Sequence, residues 1–359
     1  NIAIGKDCGA AMTTASYNTL MGVASCGSNL TTGSHNTMIG EYAGQNSTTA
    51  QQNVFLGQYV GRHCTTGTYN IAIGYQGGEG GGYGSYNYTG SHNISIGNLT
   101  HQYLSSGLNN VAIGEACGRS QSSGSRNVYI GKEAGRDATT GDENICIGYR
   151  AGYELTTGAR NTFIGKEAGK APTTTSYNTC VGYAAGEELT TGTYNNFFGW
   201  CGKATTTGSY NTAAGSGALS SNTSGYNHTC IGYNAGNNIT TGGYNLCLGY
   251  GAGTSNSPSG SITSGGYTVV LGDNNIANLY CADTSISSSD SRDKTDITNF
   301  THGLDWINKL NPITYRWDKR SWYSNDLSVT PDGSKKRARQ HIGFLAQDVL
   351  AIEQADGFA

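Results

Sequence analysis

One copy of a repeated pattern occupies residues 161–178, which have the sequence NTFIGKEAGKAPTTTSYN. The copy opens on Asn161, reaches Gly165 four residues later, and ends on Tyr177 before the next copy opens on Asn178. Eleven of the fourteen intervals between the motif glycines are identical to the one from Gly148 to Gly165, and a period this constant is typical of a solenoid. These glycines are Gly5, Gly22, Gly40, Gly57, Gly74, Gly97, Gly114, Gly131, Gly148, Gly165, Gly182, Gly199, Gly215, Gly232 and Gly249.

The composition agrees with a thin solenoid and argues against several other classes. The 359 residues include 55 Gly and 4 Pro, 36% are hydrophobic and 13% are charged. A compact enzyme needs a larger apolar core, a disordered chain needs more charge, and collagen needs glycine at every third residue. The net charge of -3 gives no electrostatic reason to expect nucleic acid, and no apolar run approaches the length of a membrane span. We expect no nucleic-acid partner, no membrane insertion and no cofactor.

Each copy contains the elements of one short coil. The apolar residue before each glycine predicts a short strand with one buried face, and the glycine suits a tight corner. The asparagine can bond to its equivalents in neighbouring coils, and the Thr-Thr-Gly segment predicts a second strand edge and turn. One coil cannot bury its own face, so stability must come from its neighbours. The predicted fold is an all-β parallel β-solenoid of about fifteen 17-residue repeats, expected to trimerise because so thin a solenoid leaves surface to hide.

Six extra residues interrupt the period between Gly74 and Gly97, inside residues 76–84. They predict a loop that leaves the shaft, because solenoid insertions collect on one face. A contact loop and a solvated glycine flap both remain open interpretations.

The repeat also explains most of the ten cysteines. Many of them take coil positions that alanine holds in other copies, which indicates small buried side chains. No Cys-x-x-Cys pair exists, so a metal cluster is not expected, while a link between Cys26 and Cys281 of different chains remains open. The cysteines at alanine positions are Cys8, Cys117, Cys146, Cys180, Cys201, Cys230 and Cys247.

Tyrosine recurs at two positions of the coil. It precedes the motif asparagine, as at Tyr177 and at Tyr226 before Asn227, or it follows the motif glycine, as at Tyr183. A sugar-binding strip along the fibre and rings that pack between coils are both open interpretations.

The composition changes after the shaft. Residues 289–359 carry 20 of the 45 charged residues and three of the four tryptophans. We expect a shaft at 1–253, a linker and terminal β-stalk at 254–288, and a small α+β domain at 289–359. In this last region the pattern predicts a helix at 300–310, a strand at 313–317 and a strand running into a helix at 342–352.

Three motifs follow one another in this region. They are Ser-Asp-x-Arg-x-Lys at 289–294, a Gly-Leu…Leu-x-Pro-x-x-Tyr-x-Trp block that ends at Trp317, and Ile-Gly-Phe-x-Ala-Gln-x-Val at 342–349. With these motifs in order, the region at 289–359 resembles the endosialidase-type intramolecular chaperone domain, a self-cleaving module that ends many phage tail fibres and tailspikes. The shaft resembles, more loosely, the glycine-rich β-roll heads of trimeric bacterial adhesins.

The resemblance implies a role for each residue of the first motif. Ser289 would be the nucleophile that cuts the chain, with Lys294 as its general base, since a serine hydroxyl needs an adjacent base. Arg292 would be the cation that lowers the pKa of that lysine, and Asp290 would orient the turn. Which bond flanking Ser289 breaks is not determined. The family usually continues into a helical segment, and the chain opens without Met, so we expect a fragment with an incomplete chaperone.

Together these patterns predict a structural and adhesive viral tail fibre or similar appendage. It would be a homotrimer whose chaperone sets the trimer register and then cleaves itself off, and no other enzymatic activity is expected. Expected partners are a host surface receptor, with a glycan as one candidate, and other virion tail proteins. The expected location is the virion, outside the cell after assembly in the host cytosol.

Two alternatives stay open. One is a cellular adhesin fibre that uses the same chaperone. The other is a tailspike that depolymerises a polysaccharide, which usually needs two carboxylates about 5 to 9.5 Å apart. The shaft offers Glu41, Glu115, Glu133 and Glu167, whose spread over positions just after the motif glycine indicates solvated corners.

Overall fold

A computed structural model describes residues 1–81, 88–278, 303–316, 332–334, 338 and 340–355. The chain divides into two units, Asn1–Leu279 and Tyr280–Ala359. The first unit is a parallel β-solenoid and the second contains two helices and a short antiparallel sheet. The predicted all-β solenoid of short, regular repeats is confirmed.

Sixteen strands form one sheet in which every strand pairs in parallel with the next one along the chain. Each coil contributes one strand, and most are three residues long because the coil turns at the glycine that follows. The strands are β1 Ile2–Lys6, β2 Thr19–Ala24, β3 Thr37–Ile39, β4 Val54–Leu56, β5 Ile71–Ile73, β6 Ile94–Ile96, β7 Val111–Ile113, β8 Val128–Ile130, β9 Ile145–Ile147, β10 Thr162–Ile164, β11 Thr179–Val181, β12 Asn196–Phe198, β13 Thr212–Ala214, β14 Thr229–Ile231, β15 Leu246–Leu248 and β16 Val269–Leu271.

The middle residue of each three-residue strand faces a narrow core. Phe163 is fully buried, while its neighbours Thr162 and Ile164 are half-buried on the outside of the sheet. The apolar core runs from Ala15 to Leu104 and again from Ala112 to Val270. Near the end of the first stretch the interior includes a buried polar pair, with Ser95 Oγ 2.8 Å from His101 Nδ1.

A ladder of buried asparagine side chains runs along the solenoid, as the repeat predicts. The backbone N–H and the side-chain amide of Asn161 both donate to Asn144 Oδ1, at 3.0 and 3.1 Å. The same amide also donates to the carbonyl of Thr175 at 2.8 Å. Each rung therefore satisfies a buried backbone N–H and a buried carbonyl, which would otherwise destabilise the coil.

The motif glycines occupy corners that no other residue fits without strain. Gly148 has φ 130°, and a Cβ atom there would lie 2.6 Å from the carbonyl oxygen of Gly165 in the next coil. Left-handed backbone is not confined to glycine, however. Each typical coil has two further positions with positive φ, such as Glu167 at 59° and Tyr177 at 61°.

Two expectations about the regular coil need correction. The Thr-Thr-Gly segment is a bend and not a strand, although Thr156 N–H still donates to Thr173 of the next coil at 2.9 Å. The ladder position of the fourteenth coil belongs to His228, so Asn227 takes the left-handed position that tyrosine holds elsewhere. These two differences share a cause, because the corner glycine fixes every position counted back from it.

Part of the segment with six extra residues lies inside the coil. Gly77 to Gly80 are buried in the coil, and residues 82–87 lie outside the described residues. Tyr88 then fills the core position that Cys64 holds in the preceding coil, with its hydroxyl 2.9 Å from Asn70 Oδ1. The expectation of a projecting loop is therefore wrong for residues 77–80.

The segment predicted as a linker also belongs to a coil. Residues 254–262 lengthen the coil between β15 and β16, and Ile262 N–H donates to Gly253 at 3.0 Å. Ile262 is buried in the core, and β16 pairs with β15. The domain boundaries at 253 and 288 stay predictions.

Candidate functional site

The predicted catalytic residues Ser289, Asp290, Arg292 and Lys294 lie outside the described residues. Downstream of them, the described residues are 303–316, 332–334, 338 and 340–355.

Two of the C-terminal motifs meet in one small sheet. Strand β17, Ile313–Tyr315, pairs in antiparallel with β18, His341–Gly343, so that Thr314 lies opposite Ile342. Helix α1, Gly303–Lys309, precedes the first strand, and helix α2, Ala346–Ala355, follows the second. The predicted helix–strand and strand–helix order is confirmed, and the Tyr315 and Ile342 motifs lie side by side although the whole charged segment 318–339 separates them in the sequence.

The described part of this unit leaves many apolar side chains uncovered. Helix α2 has no buried residue, Ile342 is 81% exposed and Phe344 is 50% exposed. Apolar side chains of the described part of this unit therefore reach water.

Residues 289–357 match the family described as the chaperone of endosialidase. The match covers all three of the C-terminal motifs and about a fifth of the chain. No curated protein matches the chain. No solved structure matches it. The solenoid therefore rests on its own geometry, and the similarity to a chaperone rests on residues 289–357 alone.

Two columns of aromatic rings follow the solenoid on its outside. Tyr177, Tyr194 and Tyr210 stack with centroids 4.8 and 5.1 Å apart and with planes 5° and 2° from parallel. In the second column Tyr233 stacks on Tyr250 at 5.4 Å. A ring that is stacked on both faces presents only its edge, so Tyr194 has no free face for a sugar. The packing interpretation fits such rings, although all five remain exposed at their edges.

The second aromatic column ends at Tyr250. Its equivalent in the next coil is Asp273, which accepts hydrogen bonds from Asn275, so no ring follows Tyr250. Tyr250 is 63% exposed and borders a pocket of about 240 Å³ with Asn234, Asn237, Thr254 and Asn256. Every residue that lines the pocket is Asn, Gly, Ser, Thr or Tyr. An uncharged wall of amides and hydroxyls with one aromatic ring can bind a small polyol or sugar ring.

Sequence reasoning missed this pocket because residues 254–266 were interpreted as a linker. A signal was available in the spacing. The interval from the motif glycine Gly249 to its equivalent Gly272 has the same six-residue excess as the interval from Gly74 to Gly97. In the second interval the extra residues follow Gly253, four residues after the motif glycine Gly249.

The carboxylates of the shaft are held by neighbouring cations or amides. Glu115 pairs with Lys132 at 2.9 Å, and Glu133 pairs with Arg150 at 2.6 Å. Hydrogen bonds from Arg160, and then from Arg126, lower the pKa of Glu143. An acid catalyst of glycoside hydrolysis needs a raised pKa, so Glu143 is unsuited to that role.

Glu79 is the described carboxyl that behaves differently. Burial raises its pKa, and it is only 6% exposed. Gln102 Nε2 lies 3.4 Å from its Oε2, which places an amide and not a second carboxylate beside it. This geometry indicates a structural side chain.

The described residues contain no group of three or more His, Cys, Asp or Glu side chains that could hold a metal ion. In the same part of the chain, no helix has the length and apolar character needed to cross a membrane. The seven cysteines at alanine positions are free thiols; all but Cys8 are buried, which agrees with their interchange with alanine.

Proposed function

We propose that this chain is a structural and adhesive fibre, a homotrimer of solenoid shafts that belongs to a viral tail or a similar surface appendage. The supporting observation is the combination of a long parallel solenoid with a region similar to the chaperone of endosialidase. In this proposal the C-terminal region sets the trimer register and then separates from the shaft by cutting the chain. The fibre acts on the virion surface after assembly in the host cytosol.

The proposed cut uses a serine and a lysine. Ser289 Oγ attacks the carbonyl carbon of a neighbouring peptide bond, and Lys294 in its neutral form takes the hydroxyl proton. The same proton then passes to the amine that leaves, so the peptide C–N bond breaks once the C–O bond has formed. Water then hydrolyses the resulting ester, which restores the serine hydroxyl and leaves a free carboxylate on the other fragment. Arg292 keeps the lysine neutral by charge repulsion, and Asp290 orients the turn.

The experiment compares the full-length chain with Ser289→Ala and Lys294→Ala on a denaturing gel and by intact mass. Ser291→Ala is the matched control, because it removes a second hydroxyl from the same motif. We expect the wild type and the control to lose a C-terminal fragment that starts at or next to Ser289, and the other two to stay intact. Four intact proteins would show that the region is a retained clamp and that the catalytic assignment is wrong.

For the adhesive part, we propose that the pocket beside Tyr250 binds a neutral sugar. The support is its uncharged lining and the free face of a ring at the end of its column. A glycan array with the full chain, repeated with Tyr250→Ala and Asn237→Ala, tests this. Tyr194→Ala removes a ring stacked on both faces and should leave the glycan signal unchanged.

The depolymerase alternative makes a different prediction in the same samples. Incubation with a bound polysaccharide would release new reducing ends, whereas an adhesive fibre releases none. The described carboxylates named above are paired or covered, which favours adhesion.

A further inference from the structure

The outside of the sheet is uncharged along the described strands of the solenoid, and one of its two columns is apolar throughout. We define the outer face as the first and third residues of the three-residue core of strands β1 to β16, from Ile2 and Ile4 to Val269 and Leu271. The third residue is Ile, Leu, Val, Met, Phe or Ala in all sixteen strands, and the first is an aliphatic residue, Thr or Asn. No charged residue occurs at either position of these described strands.

This face is large and open to water in the single chain. Fifteen steps between strands of about 4.8 Å each give it a length of about 70 Å. Along it Ile4 is 52% exposed, Ile113 is 37% exposed and Phe198 is 45% exposed. Monomeric soluble proteins rarely expose apolar side chains in an uninterrupted row of this length.

Charges lie beside the outer face and not on it. Arg126, Glu143 and Arg160 form ion pairs in the column that precedes the strands, and Lys132 pairs with Glu115 in the column that follows them. A solvated face would carry charges on alternate strand residues, since one side of a strand in water is normally polar. Repeated over sixteen coils, this separation of charged and apolar columns points to a contact surface.

We propose that the outer face is the surface on which three copies of this chain meet, with the solenoids parallel and in register. The inference rests on the proposed homotrimer and deepens it by naming the face. A second copy is the matching occupant because it repeats its apolar residues with the same spacing for the whole length of about 70 Å. A partner without this period would leave most of the face in water.

The composition of the two columns favours three copies. The third-residue column is strictly apolar, whereas the first-residue column mixes β-branched aliphatics with Thr, as in Thr162, Thr179 and Thr212. Two unlike columns pair best when the third-residue column of one copy meets the first-residue column of the next. Such a heterologous contact is not two-fold symmetric, and where its rotation closes, three copies form the smallest ring.

The first test measures the mass of the full chain in solution by light scattering and native mass spectrometry. Ile113→Lys changes the third-residue column and Ile145→Lys changes the first-residue column, each at a side chain that already reaches water. Thr140→Lys and Thr157→Lys are the matched controls, since both are exposed residues of the Thr-Thr bends on another side of the coil. Circular dichroism confirms that each variant keeps its β structure.

We expect a trimer for the wild type and for both controls. Each face variant should weaken association by about tenfold or more, because three lysines would be buried without partners. The pair Val128→Cys and Ile130→Cys, on the two columns of one coil, should give a covalent trimer under a mild oxidant, while Thr140→Cys with Thr157→Cys should not.

The outcomes separate this inference from the proposed function. A trimer that survives both face variants and forms no covalent link at Val128 and Ile130 overturns the inference and leaves the homotrimer standing. A monomeric wild type overturns both. The cleavage experiment at Ser289 gives its answer independently of either result.

Discussion

His228 is the position where the asparagine ladder can be improved. Its backbone N–H donates to Asn211 Oδ1 at 3.0 Å, and its Nδ1 accepts from Asn245 N–H at 3.3 Å. The ring therefore replaces asparagine as an acceptor, but it lacks the amide that donates to two carbonyl oxygens at other rungs. Its Nε2 is buried without a hydrogen-bond partner, and the residue is 1% exposed. His228→Asn should restore a complete rung.

The expected gain can be worked out from these contacts. Removing a buried donor without a partner relieves about 1–3 kcal/mol, and each new hydrogen bond adds about 1 kcal/mol. The smaller side chain leaves a gap of about two heavy atoms, which costs about 1–2 kcal/mol. With two restored hydrogen bonds, we expect the free energy of unfolding at pH 7.5 to rise by about 1–4 kcal/mol.

Lowering the pH should increase the difference in unfolding free energy between His228→Asn and the wild type. Burial lowers the pKa of His228 from 6.5 to about 4, so the unfolded chain binds a proton between these values and the folded chain does not. The stability that a neutral His228 preserves is complete above pH 6.5 and is lost as the pH falls toward 4. At pH 4.5 the wild type should therefore fall behind His228→Asn by about 2.5 kcal/mol more than at pH 7.5.

The assay is urea unfolding of the full chain followed by circular dichroism, with hydrogen exchange of residues 223–246 to locate the effect. His35→Asn is the control, because His35 is exposed, precedes the ladder residue Asn36 and has a φ of 62° that asparagine tolerates. A destabilised His228→Asn, or an advantage that stays constant on acidification, would refute the reasoning.

Three further predictions use matched positions. Gly148→Ala should prevent or strongly weaken folding, because its Cβ would lie 2.6 Å from the Gly165 oxygen at φ 130°, whereas Gly265→Ala, with nothing within 4 Å, should leave the thermal midpoint unchanged. In a urea titration, Asn110→Asp should lower the free energy of unfolding by about 3 kcal/mol, because the amide hydrogen bonds to Asn93 Oδ1 and Gly124 O are lost. The control Asn109→Asp changes the exposed neighbouring residue and should lower it by less than about 0.5 kcal/mol. Among the nine described thiols, iodoacetamide at pH 8 should label the partly exposed Cys8 first. The reason is that burial raises the pKa of Cys64 and of Cys117 to about 12. If peptide mass spectrometry of the native protein showed either buried thiol labelled as fast as Cys8, the buried placement would be contradicted.

The sequence predicts the structure of the coil well at positions where a single residue type meets the one physical requirement of that position. An apolar residue before Gly165 predicts a strand, and Asn161 predicts a ladder, because only these residue types satisfy the corner and the buried backbone. Prediction fails where two polar residues compete. Asn227 has the better chemistry for the ladder, yet His228 takes the position because Gly232 lies four residues after it and fixes the corner.

A second limit concerns backbone that only the stacked coils impose. Nothing about a tyrosine predicts the left-handed conformation of Tyr177, which costs energy in an isolated chain. In the solenoid its N–H donates to Ala159 of the preceding coil at 3.1 Å, and its ring stacks on Tyr194. For the candidate site, the sequence predicts the order of helices and strands around β17 and β18. The pocket beside Tyr250, by contrast, depends on how a lengthened coil closes, which no local sequence motif predicts. The roles of Ser289 and Lys294 stay predictions.

The same regularity that builds the shaft creates the need for a separate device that sets the register. If three copies meet on the outer face, sliding one copy by a single coil replaces each apolar residue by another, such as Ile130 by Ile147, and keeps nearly all of the contact. The face then supplies affinity but discriminates poorly between registers. The irregular coils help only locally: they are the two with six extra residues, the one with a single extra residue between Gly22 and Gly40, and the short one between Asn195 and Asn211. A region outside the repeat could align the chains, which is the role proposed above for the residues similar to a chaperone, 289–357.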